Sequence, residues 1–197
     1  MLHEKLKDFH IILGSGSPRR HYLLNELGIE YEIMVNNDLE ETYPVGLSRQ
    51  EIPVYLAELK SRTIMKEIPP DTLLITADTI VWLDGKVINK PKDRADAVNI
   101  LKRLSGNMHE VLTGVCLRTA ERMHSFHATS LVWFARLDDE EINYYIDQYK
   151  PFDKAGAYGV QEWIGYIGIE KIEGSYFNVM GLPIQKVYHE LKELLGE

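Results

Sequence analysis

The sequence predicts an α/β or α+β fold with a mixed sheet rather than a doubly wound one, and three observations carry that reading. Leu73-Leu74-Ile75, with Ala77 behind it, is a continuous apolar run of the kind found in a central strand covered on both faces. Ile80 to Ile88 alternates around Asp84-Gly85, a hairpin signal. Two β-rich runs, 110–118 and 125–135, follow one another, separated by a short stretch around the polar Glu121-Arg122, so strands and helices do not alternate strictly. At 197 residues, 45% hydrophobic and 26% charged, the chain can bury one sizeable core, as a single domain or as two lobes sharing a sheet.

Taken in order, His10 to Leu13 should be a buried strand and Ser17 to Leu27 a helix. Ser17 is a natural N-cap, Pro18 suits the first helical position, Leu23, Leu24 and Leu27 face inward, and Gly28 ends the helix. Tyr31 to Val35 reads as a second strand, and 36–47, acidic and holding Pro44 and Gly46, as a loop. The next helix has competing start signals at Ser48 and Pro53, turns Tyr55, Leu56, Leu59 and Met65 inward, and ends before Pro69-Pro70. Thr72 to Asp78 is a strand, followed by the hairpin. Asp93, with Asp96 three residues on, caps a helix with Val98, Leu101 and Leu104 inside and Gly106 closing it. The runs 110–118 and 125–135 are expected to pair antiparallel. Asp138 and Glu141 open a helix that stops at Pro151, Ile164 to Ile172 is a late strand, and Ile184 to Leu195 is a terminal helix.

Charge narrows the function. With 22 Lys and Arg against 30 Asp and Glu, the net charge of −8 repels polyanions and argues against a nucleic-acid partner. Any phosphate site must be a local basic pocket, which suits a small nucleotide carried with a divalent cation. The single cysteine, Cys116, excludes an internal disulfide and every Cys-rich zinc site, and fits a reducing, cytoplasmic setting. The polar start and the lack of an apolar run of spanning length predict neither signal peptide nor membrane association.

The segment Leu13-Gly14-Ser15-Gly16-Ser17-Pro18-Arg19-Arg20 is a strand-to-helix junction suited to an anion. Gly14 and Gly16 allow backbone amides to approach a ligand, while Arg19 and Arg20 in a first helical turn oppose the helix dipole unless something negative is bound nearby. Two solvated surface arginines are the plainer explanation of the octapeptide alone. Asp78 and Thr79 bring a carboxylate and a hydroxyl together at a strand end, where a base is often found and where a turn aspartate is just as common. Glu40-Glu41 in the acidic loop offers a second hard oxygen ligand for magnesium, or is a solvated acidic pair. Lys60 and Lys90 could neutralise phosphate, although each alone reads as a surface lysine. In Asp153 to Gln161, small residues permit close approach and Gln161 presents a donor and an acceptor to the edge of a base. The seven histidines show no metal-binding spacing, His109 being the one placed to hydrogen-bond within a site, and Cys116 is most simply a core residue.

In order and spacing these segments resemble the Maf family of nucleoside triphosphate pyrophosphatases. The resemblance rests on 15–20, Leu56-Ala57-Glu58-Leu59-Lys60, Ala77-Asp78-Thr79-Ile80-Val81, Lys90-Pro91, 104–115 around His109, 153–161, and Val179 to Ile184. It implies one Maf-like domain over 1–197 with a Maf/ITPase-like fold, an elongated, twisted mixed sheet with flanking helices forming two lobes around a cleft. It also implies hydrolysis of a nucleoside triphosphate to monophosphate and pyrophosphate, a divalent metal (Mg2+ or Mn2+), and a cytoplasmic homodimer. Asp78 corresponds to the family's proton acceptor. Arg19, Thr79 and Gln161 match the dTTP/UTP branch, whereas the 7-methyl-GTP branch has Trp, Gln and Glu there. The expected roles are Asp78 with Glu40 on the metal, Ser15, Arg20, Lys60 and Lys90 on phosphate, and Arg19, Thr79 and Gln161 in base choice. Two departures stand out: Glu162-Trp163 follows Gln161 where the family usually has Gly, altering the pocket rim, and Gly14 replaces the usual Ala, with little expected effect. The alternatives are a pyrophosphatase of non-canonical purine nucleotides and a nucleotide-binding regulator of septum formation with little turnover.

Overall fold

The structure, a computed structural model, describes residues 2–196. Seven strands, β1 (His10–Gly14), β2 (Glu32–Ile33), β3 (Thr72–Leu83), β4 (Lys86–Ile88), β5 (Met108–Arg118), β6 (Met123–Phe134) and β7 (Ile169–Glu173), form one mixed sheet. Its order is β2-β1-β3-β5-β6-β7, with β4 paired to β3. The helices are α1 (Leu2–Leu6), α2 (Pro18–Glu26), α3 (Glu51–Ile64), α4 (Arg94–Leu104), α5 (Asp139–Tyr149), α6 (Trp163–Gly168), α7 (Tyr176–Met180) and α8 (Ile184–Leu194), with a 3-10 turn at Ala155–Ala157. The predicted α/β mixed sheet is the observed one. No helix among the described residues is long and apolar enough to cross a membrane.

The chain forms two compact units: residues 2–78, 113–128 and 181–196 make the first, and 79–112 and 129–180 the second. In the first, β1 runs parallel to both β2 and β3, with Gly14 opposite Thr76. Its core is built on Ile11 to Leu13, Leu73 to Ile75, Leu23 and Leu24 of α2, and Leu56 and Ala57 of α3. A Cβ on Gly14 would lie 2.6 Å from both Ile64 Cδ1 and Thr76 Cγ2. The glycine is therefore closely packed on β1, and a methyl group there would require the Ile64 and Thr76 side chains to shift. Gly114 is tighter still, its hypothetical Cβ falling 2.2 Å from the Pro53 carbonyl carbon, so α3 starts directly on β5.

In the second unit β3 and β4 form the predicted hairpin at Asp84-Gly85, with Val81 opposite Ile88. Asp84 and Gly85 both take positive φ, the conformation a tight primed turn demands. Asp93 accepts from the Asp96 amide at 2.8 Å, and Asp138 with Glu141 closes a reciprocal capping box, as their spacing predicts. Ala97, Ile100, Leu101 and Leu104 of α4 pack inward with Ile142, Tyr145 and Ile146 of α5.

Several boundaries differ from expectation. β2 is two exposed residues instead of 31–35: Glu32 and Ile33 pair with Ile12 and Leu13, and beyond them the Met34 amide makes a last bond to the Leu13 carbonyl at 3.1 Å. α3 starts at Glu51, between the two competing signals, where Glu51 Oε2 accepts from the Ser48 amide. Met65 lies beyond the helix, against Ile12, Ile68 and Leu74. Ser17 occupies the N-cap position without a side-chain cap bond. Residues 163–168 are helical and only 169–173 form the late strand.

Candidate active site

The strand carrying Asp78 does not end there. Ile80, Val81 and Leu83 continue the buried pattern beyond it, so β3 runs unbroken through Asp78 and Thr79 to Leu83, and the expected strand end is an interior position. Asp78 is the last residue of the first unit and Thr79 the first of the second.

In the first unit the fold places four polar side chains on this point of β3. Thr76 Oγ1 donates to the Ala57 carbonyl at 2.7 Å, tying α3 to β3 two residues before Asp78. Lys60 lies one helical turn past Ala57, on the same side of α3, and its Nζ meets Asp78 Oδ1 at 2.5 Å. Glu41 Oε1 comes to the same ammonium at 2.9 Å. From α2, Arg20 donates through Nη1 to the Ala77 carbonyl at 2.8 Å and to Ser15 Oγ at 3.2 Å, and through Nε to the Gly181 carbonyl at 2.8 Å. Ser15 Oγ also accepts from the Ser17 amide, and the His21 ring donates from Nε2 to the Ser15 carbonyl at 2.6 Å.

The sequence leads one to expect Arg20 in front of an anion. The structure buries it at 8% exposure, with its guanidinium fork holding the backbone on which Asp78 sits. This bears on the conflict of an arginine in a first helical turn: carbonyl oxygens of β3 and of Gly181 and the charges of Asp78 and Glu41 are among its negative partners. Burial lowers the Arg20 guanidinium from its ordinary value, opposed by Asp78. Burial likewise raises the Asp78 carboxyl, opposed by the charges of Lys60 and Arg20. A carboxylate raised by its surroundings and hydrogen-bonded to a lysine is poised to accept a proton.

Of the two loop glutamates, the structure brings Glu41 to Lys60 beside Asp78, whereas the expected ligand was Glu40. Glu40 is exposed in the loop, and its neighbour is the one that reaches Lys60. Nothing in the sequence distinguishes two adjacent glutamates in an irregular segment. Asp78 and Glu41 both bond one Nζ, so their oxygens face a common point, a hard-oxygen pair that fits a small divalent cation retaining its own waters. Among the described residues no cluster of three or more His, Cys, Asp or Glu is arranged around such a point.

In the second unit, Thr79 and Gln161 are half-buried and Lys90 is exposed. The Gln161 Oε1 is buried without a hydrogen-bond partner, an acceptor left open in a segment that is otherwise well satisfied. His109 is structural. It is 1% exposed, its Nε2 lies 2.7 Å from the Tyr158 hydroxyl, and its ring packs edge-on against Phe134 and Tyr158. Cys116 is fully buried, and burial raises its thiol.

A family model described as Maf-like protein matches residues 10–194. The chain belongs to the Maf-like family. A dTTP/UTP pyrophosphatase of Phocaeicola vulgatus is 56% identical, covering 97% of this chain and 99% of its own. Others so named, from Bacteroides thetaiotaomicron and Flavobacterium johnsoniae, are 55% and 48% identical, covering 96% and 99% of this chain and 98% and 100% of theirs. Among solved structures, a HAM1 protein from Coxiella burnetii shares the fold at a TM-score of 0.52 and 14% identity, covering 94% of this chain and 99% of that one. The structure gives Glu162, the residue after Gln161, a definite place. Its side chain turns back over the loop, accepting from the Tyr145 hydroxyl and pairing with Lys154 Nζ at 3.1 Å. Tyr145 carries no signal of its own in the sequence and Lys154 figures there only as part of 153–161; the Glu162-Trp163 pair after Gln161 is the feature that points to them.

Proposed function

We propose that this protein hydrolyses dTTP and UTP to the nucleoside monophosphate and pyrophosphate, in the cytoplasm and as a homodimer. The observation that carries the reading is the buried Asp78 carboxylate, raised by burial and bonded to Lys60 at the point where Glu41 also arrives. Relatives of that name at 48–56% identity over nearly the whole chain support it, as do Arg19, Thr79 and Gln161 at the positions of the dTTP/UTP branch. A net charge of −8 favours a small nucleotide over a nucleic acid as the phosphate-bearing partner.

In this reading Asp78 accepts the proton of a water as its oxygen bonds to the α-phosphorus. The bond from that phosphorus to the bridging oxygen breaks, and pyrophosphate departs with the electron pair. Lys60, released from its two carboxylates, and Lys90 neutralise the departing charge, while Arg20 holds the Ala77 carbonyl and so fixes the Asp78 backbone. Asp78 and Glu41 would hold Mg2+ or Mn2+, which when bound screens phosphate charge and acidifies water. The buried Gln161 Oε1 accepts the imide N–H of uracil or thymine, a donor that cytosine lacks at the same ring position.

The deciding experiment is pyrophosphate release with magnesium from UTP, dTTP, ITP and 7-methyl-GTP. Fastest release from UTP and dTTP is expected. Faster release from a purine, or binding of UTP without release, would overturn the proposal and leave a purine pyrophosphatase or a nucleotide-binding regulator respectively.

A further inference from the structure

The surroundings of Glu162 in the second unit give its carboxylate a task. The Glu162 amide donates to the Gly159 carbonyl at 3.0 Å, closing a four-residue turn with Val160 and Gln161 at its centre. The Gly159 amide donates to the Tyr145 hydroxyl at 3.0 Å, and that hydroxyl donates to the Glu162 carboxylate. The other Glu162 oxygen takes Lys154 Nζ, which is also held by Asp153 at 2.8 Å. Both ends of the turn are thus tied to one fully buried tyrosine.

The turn is clamped on its other side too. A Cβ on Gly165 would fall 1.9 Å from the Val160 carbonyl oxygen, so the first turn of α6 lies hard against it. The Tyr166 hydroxyl donates to the Gln161 carbonyl at 2.9 Å. A Cβ on Gly159 would stand 2.7 Å from Glu162 Cδ, which shows how closely the carboxylate covers the loop. Within this fixed frame Gln161 keeps a buried acceptor oxygen that no protein group satisfies.

We infer that Glu162 is a positioning residue for base selection, its carboxylate locking, through Tyr145 and Lys154, the turn that presents the Gln161 amide. The inference rests on the proposed dTTP/UTP activity and adds to it the source of the pocket's rigidity. Glu162→Gly leaves the Tyr145 hydroxyl without its acceptor and removes the side-chain tie between the two ends of the turn, leaving the backbone bond and the Gly165 and Tyr166 contacts to hold it. A glutamine keeps the acceptor, and Lys154 retains Asp153.

The test compares wild type, Glu162→Gly, Glu162→Gln and Tyr145→Phe in steady-state hydrolysis of UTP and CTP, with a thermal melt of each. Glu162→Gly is expected to lower kcat/KM for UTP about tenfold, the scale of one lost charge-assisted hydrogen bond. The loss should fall mainly in KM, and the preference for UTP over CTP should shrink by a similar factor. Tyr145→Phe should do the same, and Glu162→Gln should restore most of the preference. An unchanged UTP-to-CTP ratio in Glu162→Gly, whatever its melting temperature, would overturn the inference. If the wild type hydrolyses neither nucleotide, the proposed function fails separately. The variants are then read by amide hydrogen exchange over 159–162, where unchanged protection in Glu162→Gly overturns the positioning role.

Discussion

Burial holds the His109 imidazole down to about 4 from an ordinary 6.5, with no neighbouring charge responsible. The unfolded chain therefore takes up a proton at this residue well before the folded one does. Stability from the neutral ring is intact above pH 6.5 and is lost as pH falls through the window from 6.5 to 4. At pH 5.0 the two values correspond to a loss of about 2 kcal/mol relative to pH 7.5, and to about 3 kcal/mol once both states are protonated. In His109→Gln the amide can still reach the Tyr158 hydroxyl but does not titrate. Urea unfolding of both proteins at pH 7.5 and 5.0, followed by tryptophan fluorescence, measures the difference. Trp82, Trp133 and Trp163 all lie in the unit that holds His109. Wild type should lose about 2 kcal/mol more than the variant between the two pH values. Losses equal to within about 0.5 kcal/mol, the usual scatter of independent sites, would refute a ring buried in the neutral form.

Asp78→Asn should lower turnover of UTP by about two to four decades, the usual contribution of a positioned base, and near-normal pyrophosphate release would remove Asp78 from that role. Arg20→Met should cost about 3 kcal/mol in urea unfolding, since the Ala77 and Gly181 carbonyls lose their buried donor; an unchanged midpoint would mean that water replaces the fork. Gly114→Ala should cost about 3 kcal/mol and shift α3, because its methyl group would meet the Pro53 backbone; circular dichroism melts check the cost, and a fall in UTP turnover is the expected result if the shift displaces Lys60 of that helix from its proposed role.

The elements most legible in the sequence were those whose signals are local. The Asp93 and Asp138 caps, the Asp84-Gly85 hairpin and the terminal helix each depend on residues a few positions apart, and each formed within a residue or two of expectation. The misread segments are those in which a tertiary contact outweighs the local pattern. Ile164 to Gly168 has the apolar content of a strand, yet Gly165 can sit against the Val160 carbonyl only if the chain turns there, and those residues coil into α6. Tyr31 to Val35 has strand propensity along its length, but only two of its residues pair with β1, and Met34 and Val35 remain exposed.

The site was legible as a set of residue types and much less as an arrangement. Asp78, Lys60, Arg20 and Ser15 were named from sequence and do gather in the first unit, but the division of labour among them differs from expectation. A pair of arginines opening a helix suggested an absent anion, and Arg20 has among its partners two carbonyls more than fifty residues away in the chain, at Ala77 and Gly181. No local pattern encodes such contacts. Placing Asp78 inside β3 has a physical consequence. A carboxylate on a loop would relax towards water, whereas here the strand runs on through Thr79 to Leu83, Thr76 is pinned to Ala57, and Ala77 is pinned to Arg20. The charged side chain is held in place by a backbone that cannot move to solvate it. Burial is what raises its proton affinity, and the rigid strand is what keeps it buried.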